Sequence, residues 1–338
     1  MHLEKIYLKN FRSFSSFKKN LGNKNLIFGK NGVGKTSFLE SIFFSYKQRS
    51  FRTSSINSLI NFDSDSFLIE TRSFEKKFIY KKEKQKKLTK ETPKVNTKLV
   101  LPMVLDNSSL NFLEAPKDNR RSFIDYFLFH VKPEYRAAHT QFKKSLAQRN
   151  KALKEGSANE IKTWTKSYVE KCQYIDNLRT DVIQDFLENF EDFLATQNLP
   201  SKLRGKFTDV RIGYSSGWEN DLLEELRQCY RKDKEKGYTS KGPHVSDLSI
   251  KIKQIDSGNI LSRGEQKLLI LLIYIFFCNI NSSKTNNETI LLADDLHAEL
   301  DGSTMDFALE AILAAKAQIF VTSLEKVQKD KFDVLIDL

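Results

Sequence analysis

An α/β fold carrying an inserted helical lobe is predicted by three features of the chain. Near the N-terminus the apolar run Asn25-Leu26-Ile27-Phe28 enters a glycine-rich turn and leaves it in the apolar stretch Ser37–Phe44. Near the C-terminus a second apolar run, Ile290-Leu291-Leu292-Ala293, ends on Asp294-Asp295. Between them, residues 119–198 carry helical periodicity.

A length of 338 residues allows one large domain or two of ordinary size, with chain enough to bury a core. Hydrophobic residues make up 40% and charged residues 29%, the balance of a globular protein. The longest apolar run, Leu268–Cys278, is shorter than the roughly 20 residues a membrane span needs and reads as a buried helix. No charged-then-apolar leader is visible, so a cytoplasmic protein with no membrane partner is expected. Cys172, Cys229 and Cys278 lack metal-ligand or redox spacing. Fifty-five Lys plus Arg against 43 acidic residues give a net charge of +12. That balance favours polyanionic partners. The lysine-, asparagine- and isoleucine-rich composition also fits A/T-rich coding alone.

Taken in order, Leu3–Lys9 and Asn25–Phe28 read as strands, followed by the helix after the glycine turn. Phe67–Leu101 is β-rich with period-two alternation, interrupted by the lysine run Lys81, Lys82, Lys84, Lys86, Lys87 and Lys90, a solvated hairpin tip or a phosphate contact. Helices are expected over Arg121–His130, Glu134–Lys154 and Glu160–Gln197, the last two made antiparallel by the break at Gly156-Ser157-Ala158-Asn159. No heptad run supports an extended coiled coil, so the lobe is expected to be compact. Phe207–Tyr214 adds a strand, Asp221–Lys234 a helix, and Asp247–Ile255 another strand.

Chemistry concentrates at two places. Gly29-Lys30-Asn31-Gly32-Val33-Gly34-Lys35-Thr36 is a complete G-x-x-x-x-G-K-S/T loop between a strand and a helix. Such a loop turns successive N–H groups around a β-phosphate while the helix N-terminus adds positive potential. Lys35 reaches the β- and γ-phosphates and Thr36 ligates Mg²⁺. A rigid strand ending on Asp294 supplies the second hard oxygen ligand. Asp295, one position on, points differently and is the candidate to polarise an attacking water.

Leu261-Ser262-Arg263-Gly264-Glu265-Gln266 resembles the L-S-G-G-Q/E signature of ABC-type ATPases, with Arg263 in place of the first glycine. Ala298-Glu299-Leu300-Asp301 is similar to their D-loop, and Leu8-Lys9-Asn10-Phe11-Arg12-Ser13-Phe14 to the opening of SMC-like heads. Arg49-Ser50-Phe51-Arg52-Thr53, Asn119–Asp125, Gln148–Leu153 and Gly242-Pro243-His244 narrow the resemblance, over essentially the whole chain, to the RecF family of recombination mediators.

The resemblance implies an ABC-type P-loop ATPase head, a mixed sheet with helices plus an antiparallel β subdomain, formed by residues 1–117 and 238–338. Residues 118–237 form the inserted lobe of short antiparallel helices. It implies ATP and Mg²⁺ as cofactors, nucleotide contacts from Gly29 to Thr36, Arg12, Ser262, Gly264 and Gln266, metal ligation by Thr36 and Asp294, and catalytic roles for Lys35 and Asp295. ATP is expected to drive a homodimer in which Ser262 of one subunit meets the nucleotide of the other. Asp295 in place of the usual glutamate implies weak hydrolysis that times release. Double-stranded and gapped DNA, RecR and RecO are the expected partners and RecA loading the outcome, with a place in recombinational repair and the SOS response. A clamp with negligible turnover and a transporter-type ATPase subunit are the alternatives. No Q-loop glutamine is found in Leu101–Ser108, and the switch stretch Ile319–Ser323 offers hydroxyls but no histidine. His244 is either structural or near the site. Arg120 and Arg121 are expected to cap and solvate a helix, with a DNA contact as the alternative, and Lys143, Lys144, Arg149, Lys151 and Lys154 to offer DNA a basic surface.

Overall fold

The structure, a computed structural model, describes residues 2–73, 76–91, 100–114, 117–285, 287–297 and 299–338. Its first stretch supplies strands β1 (Lys5–Phe11), β2 (Phe14–Asn20) and β3 (Lys24–Phe28), then helix α1 (Lys35–Lys47). Strands β4 (Ser66–Ser73), β5 (Lys76–Glu83), β6 (Thr89–Glu91) and β7 (Val100–Leu105) follow.

The chain then builds a lobe from α2 (Asn111–Glu114), α3 (Lys117–Val131), α4 (Tyr135–Glu155), α5 (Ala158–Thr196) and α6 (Ser201–Phe207). It continues through β8 (Val210–Ser215), α7 (Leu222–Gln228), α8 (Tyr230–Lys236), β9 (Asp247–Ile252), β10 (Ile255–Asp256) and α9 (Ser257–Ile260). The last stretch contains α10 (Arg263–Lys284), β11 (Glu288–Ala293), α11 (Gly302–Ala314), β12 (Gln318–Ser323) and β13 (Val334–Asp337).

Two units result: a head of Met1–Leu110 with Arg263–Leu338, and the lobe Asn111–Ser262. Within the head, β13-β3-β12-β11-β7 form one sheet with every pairing parallel. Its central strands are near-continuous apolar runs because both faces are covered. A second head sheet, β2-β1-β4-β5-β6, is antiparallel throughout. The mixed character expected of the head thus lies between two sheets, and β1 and β2 join the antiparallel one. Phe38, Ile42 and Phe44 of α1 pack with Leu8, Phe11 and Phe67 of that sheet in one core. Helix α10 is long and apolar enough to cross a bilayer by length and composition, yet 83% of its most apolar window is buried.

Two expectations about the lobe are corrected. Its helices are not all short: α5 runs 39 residues, about 58 Å at 1.5 Å per residue. Ser157 starts it with a capping box to Glu160, which is why the break after α4 is confined to two residues. The lobe also extends past residue 237 to Ser262, because β9 pairs with β8 along six residues. The expected helix Asp221–Lys234 is divided into α7 and α8 at Cys229.

Candidate functional site

Strand β3 delivers the chain into the glycine loop at the C-terminal edge of the parallel sheet, where ligands of such sheets bind. At Gly29 φ is 151°, and a Cβ there would lie 2.4 Å from the Leu338 carbonyl oxygen. At Gly34 φ is 112°, and a Cβ would lie 2.6 Å from Ser13 Oγ. Both positions therefore demand glycine. Lys30, Asn31 and Gly32 are exposed and Val33 half-buried. The Lys35 ammonium folds back over the loop, donating to the carbonyls of Gly29 at 2.7 Å and Lys30 at 3.0 Å. That holds its charge against the loop backbone.

The two candidate metal ligands are in contact: Thr36 Oγ1 donates to Asp294 Oδ2 at 2.7 Å. Asp294 Oδ1 accepts from Thr322 Oγ1 at 2.8 Å, and Thr322 Oγ1 in turn accepts the Asp295 N–H at 2.8 Å. One buried hydroxyl on β12 thus orients both acids that follow β11. A hydroxyl and a fixed carboxylate oxygen side by side suit Mg²⁺, which takes one or two protein oxygens and completes its octahedron with phosphate and water. Asp295 turns away from Asp294 because its φ is 51°. Its side chain is exposed, as a residue meeting an incoming water must be.

Lys267 was not anticipated. It is 1% exposed, and its ammonium donates to the Asp295 carbonyl at 2.6 Å, tying the start of α10 to the acid-bearing loop. Burial lowers its pKa, against the pull of Asp295. A cation placed directly before the apolar run Leu268–Cys278 was the available signal. His297 was also missed: its Nε2 shares a 2.8 Å hydrogen bond with Ser323 Oγ. Ser323 pairs with Phe28, the residue just before the glycine loop. The switch stretch lacks its own histidine, but the fold brings one to it.

Other expected contacts are placed differently. Arg12 engages Glu40 of α1 with Nε and Nη2, each at 2.8 Å, and donates from Nη1 to the Ser58 carbonyl at 2.9 Å. The guanidinium expected on the phosphates is thus held in an ion pair with an acid of α1. Glu40 is fully buried, and Ser50 Oγ also donates to it. Ser50 Oγ accepts the N–H groups of Arg52 and Thr53, while Phe51 packs edge-on against Phe43. The Arg-Ser-Phe-Arg-Thr stretch thus surrounds a buried acid, which the lone glutamate in Ser37–Phe44 foreshadowed.

Of the signature residues, Ser262 ends the lobe and is exposed. Gly264 and Gln266 belong to the head. A Cβ at Gly264 would lie 2.2 Å from the Glu299 carbonyl oxygen, so close packing requires glycine there. Gln266 is 2% exposed and faces the interior, which corrects its expected role as a direct nucleotide contact. Ala298 lies outside the described residues. Glu299 pairs with Arg263 at 3.7 Å, and Asp301 caps α11 by accepting the Thr304 N–H at 3.2 Å.

Within the lobe, His244 is structural. Its Nε2–H donates to the Thr239 carbonyl at 2.8 Å and Nδ1 lies 3.2 Å from the Tyr168 hydroxyl. Burial lowers its pKa. Arg149, expected on a basic surface, is 1% exposed and pairs with fully buried Asp233 at 3.0 Å. Arg120 and Arg121 neither cap nor solvate α3. Arg120 forms a two-pronged pair with Asp247 at 2.9 and 3.1 Å, and Arg121 donates to the Ser246 carbonyl at 2.9 Å.

The family model of the RecF/RecN/SMC N terminal domain matches residues 2–338. The DNA replication and repair protein RecF of Pseudoalteromonas translucida (strain TAC 125) is 30% identical over 346 residues, covering 96% of this chain and 92% of its own. That of Hahella chejuensis (strain KCTC 2396) is 30% identical over 350 residues, covering 98% and 93%. A solved structure of the recombination mediator protein RecF-ATPrS in the RecFOR pathway superposes with a TM-score of 0.78 at 22% identity, covering 100% of this chain and 96% of that one. A second, of RecF-ATP, gives 0.77 at 22% identity over 96% and 92%.

Proposed function

The chain belongs to the RecF branch of the RecF/RecN/SMC N-terminal domain family, and we propose that it is an ATP-dependent DNA-binding protein of recombinational repair whose nucleotide site is shared between two copies. The observation that supports this reading is the continuous chain of hydrogen bonds from Thr36 through Asp294 and Thr322 to the Asp295 backbone N–H, which ties the segment bearing both acids to the glycine loop.

In this reading the loop N–H groups and Lys35 hold the β- and γ-phosphates, and the charge of Lys35 offsets that of the phosphoryl group in transfer. Thr36 and Asp294 would hold Mg²⁺, which when bound neutralises phosphate charge. Asp295 orients the attacking water and accepts its proton. A carboxylate one methylene shorter than glutamate holds water at a longer reach, which supports slow turnover. Exposed Ser262 and the N–H groups opening α10 complete the γ-phosphate site of a second copy, so ATP drives association and hydrolysis releases it. Duplex or gapped DNA is retained while the dimer is closed, and RecO, RecR and, through them, RecA are the proposed partners. The DNA replication and repair names of relatives spanning nearly the whole chain leave the transporter alternative without support.

Analytical ultracentrifugation with ATP tests the composite site. Lys35→Ala should abolish ATP-dependent dimers, and Ser262→Arg should prevent dimers while the monomer still binds ATP. A normal dimer from Ser262→Arg contradicts the shared site. Phosphate release measured with and without duplex DNA separates a slow ATPase from a clamp with negligible turnover.

A further inference from the structure

We infer that the corner of the lobe formed by the end of α4 and by α8 is the surface that holds the DNA phosphate backbone, rather than the lysine-rich hairpin of the head. This rests on the DNA-binding reading above and names the surface it needs.

The two basic regions differ in what surrounds their charges. In the hairpin, Lys81 pairs with Glu83 at 2.8 Å, Lys86 also pairs with Glu83, and Lys84 pairs with Asp65 at 3.0 Å. Lys82 is 7% exposed and donates to the carbonyl oxygens of Glu83 and Lys86. Four of the six hairpin lysines thus have internal side-chain partners, and only Lys87 and Lys90 have none among the described residues. At the lobe corner, Lys151, Lys154, Arg231, Lys232, Lys234 and Lys236 are all exposed, and none has a carboxylate partner among the described residues. Glu155 and Glu235 lie in the same stretches and pair with none of the six. Unpaired cations held close together repel one another, and an incoming polyanion relieves that repulsion while releasing its counterions.

The corner is rigid and continuous. The buried Arg149–Asp233 pair fastens α4 to α8, and Asn150 Oδ1 accepts from both the N–H and the hydroxyl of Thr239 at 2.8 and 2.6 Å. Gly237, which ends α8 in a left-handed turn, sits so close to Lys154 that a Cβ would lie 2.8 Å from its Cγ. Lys143, Lys144, Lys151 and Lys154 fall within an arc of about 100° on α4 at 3.6 residues per turn, extending the patch over about 16 Å. Tyr238 adds a half-exposed ring at the edge, with the Lys236 ammonium 5.7 Å from its centroid. Lysine-dominated charge without a base-reading element suits sequence-independent contact with phosphates.

The test is fluorescence anisotropy of labelled duplex DNA with ATP over a salt series. It compares the wild type, the triple variant Lys154→Glu/Arg231→Glu/Lys234→Glu, and the hairpin variant Lys84→Glu/Lys86→Glu. All the substituted lobe residues are exposed, so urea unfolding and DNA-free ATP turnover should be unchanged. The lobe variant should lose at least tenfold in affinity and its log K against log salt slope should flatten by about 3, roughly one unit per lost phosphate contact. The hairpin variant should follow the wild type. Full DNA affinity and an unaltered slope in the lobe variant overturn the inference, whether the corner then serves an acidic protein or only solvent. A flattened slope in the hairpin variant alone overturns it in favour of the hairpin. Absence of DNA binding by the wild type sinks the DNA-binding reading itself, and this inference with it.

Discussion

Thr36 Oγ1 donates to Asp294 Oδ2 at 2.7 Å, joining the first turn of α1 to the residue that follows β11 across 258 positions of sequence. The contact exists because β3 and β11 flank β12 in the parallel sheet, so the segments leaving both strands emerge at one edge.

Removing the Thr36 hydroxyl while keeping its shape should therefore weaken Mg²⁺-dependent nucleotide binding. Thr36→Val should cost about 1.5–3 kcal/mol, roughly ten- to hundredfold, whereas Thr36→Ser should bind nearly as the wild type does. Calorimetric titration of ATP with and without Mg²⁺ measures both, and equal affinities for the two variants contradict the assignment.

Asp295→Asn should preserve ATP binding and ATP-dependent dimers while slowing turnover about 10²- to 10⁴-fold, the usual contribution of a general base. The Asp295 backbone is held by Thr322 and Lys267, so the substitution leaves the loop in place. Single-turnover phosphate release reports the rate, and wild-type turnover assigns the base elsewhere.

His297→Ala frees Ser323 from its 2.8 Å partner beside the glycine loop. Its kcat should fall with ATP affinity unchanged, and His297→Gln, which restores a polar partner, should recover much of the rate. The same loss in both variants argues against a positioning hydrogen bond.

Arg149→Ala leaves Asp233 buried without its partner, and breaking such a pair costs about 3–5 kcal/mol. Urea unfolding should show that loss, with part of it recovered in Arg149→Ala/Asp233→Ala. A stability close to wild type in the single variant contradicts the buried pair.

Acid should destabilise the lobe through Asp125. Burial alone would raise its pKa, but the hydrogen bond from His139, the Arg179 charge and the Tyr135 hydroxyl outweigh it and hold the value at about 2, below the usual 3.8. A folded-state pKa below the unfolded one contributes stability above pH 3.8 that is lost as pH falls toward 2. Asp125→Asn should flatten the pH dependence of Tm across that window, and an unchanged acid limb rules this out.

Much of the candidate site's local architecture was legible in the chain because its parts are local. A glycine loop between strand and helix, and a strand ending on two acids, are written in consecutive residues whose backbone chemistry does not depend on distant neighbours. The Arg12–Glu40 pair was not legible, because an arginine that precedes a glycine loop shows no sign in sequence of the buried glutamate that holds it. Arg149 misled for a related reason: its neighbours Lys143, Lys144, Lys151 and Lys154 are exposed, but it lies on the opposite side of α4, where Asp233 compensates its charge. The lobe boundary was set too early because β8 and β9 are separated by two helices, and strand pairing leaves no mark in either strand alone.

The sequence by itself determined the α/β class, the glycine loop, the paired acids and the helical insert, since each follows from local periodicity and residue chemistry. Tertiary structure decided which charges are available: Arg12, Arg149 and most of the hairpin lysines are satisfied internally, while the α4–α8 corner is not. It also brought Thr322, Lys267 and His297 to the acids. The physical reason is that a charge's role depends on its desolvation and its partners, and both are set by chain segments far away in sequence.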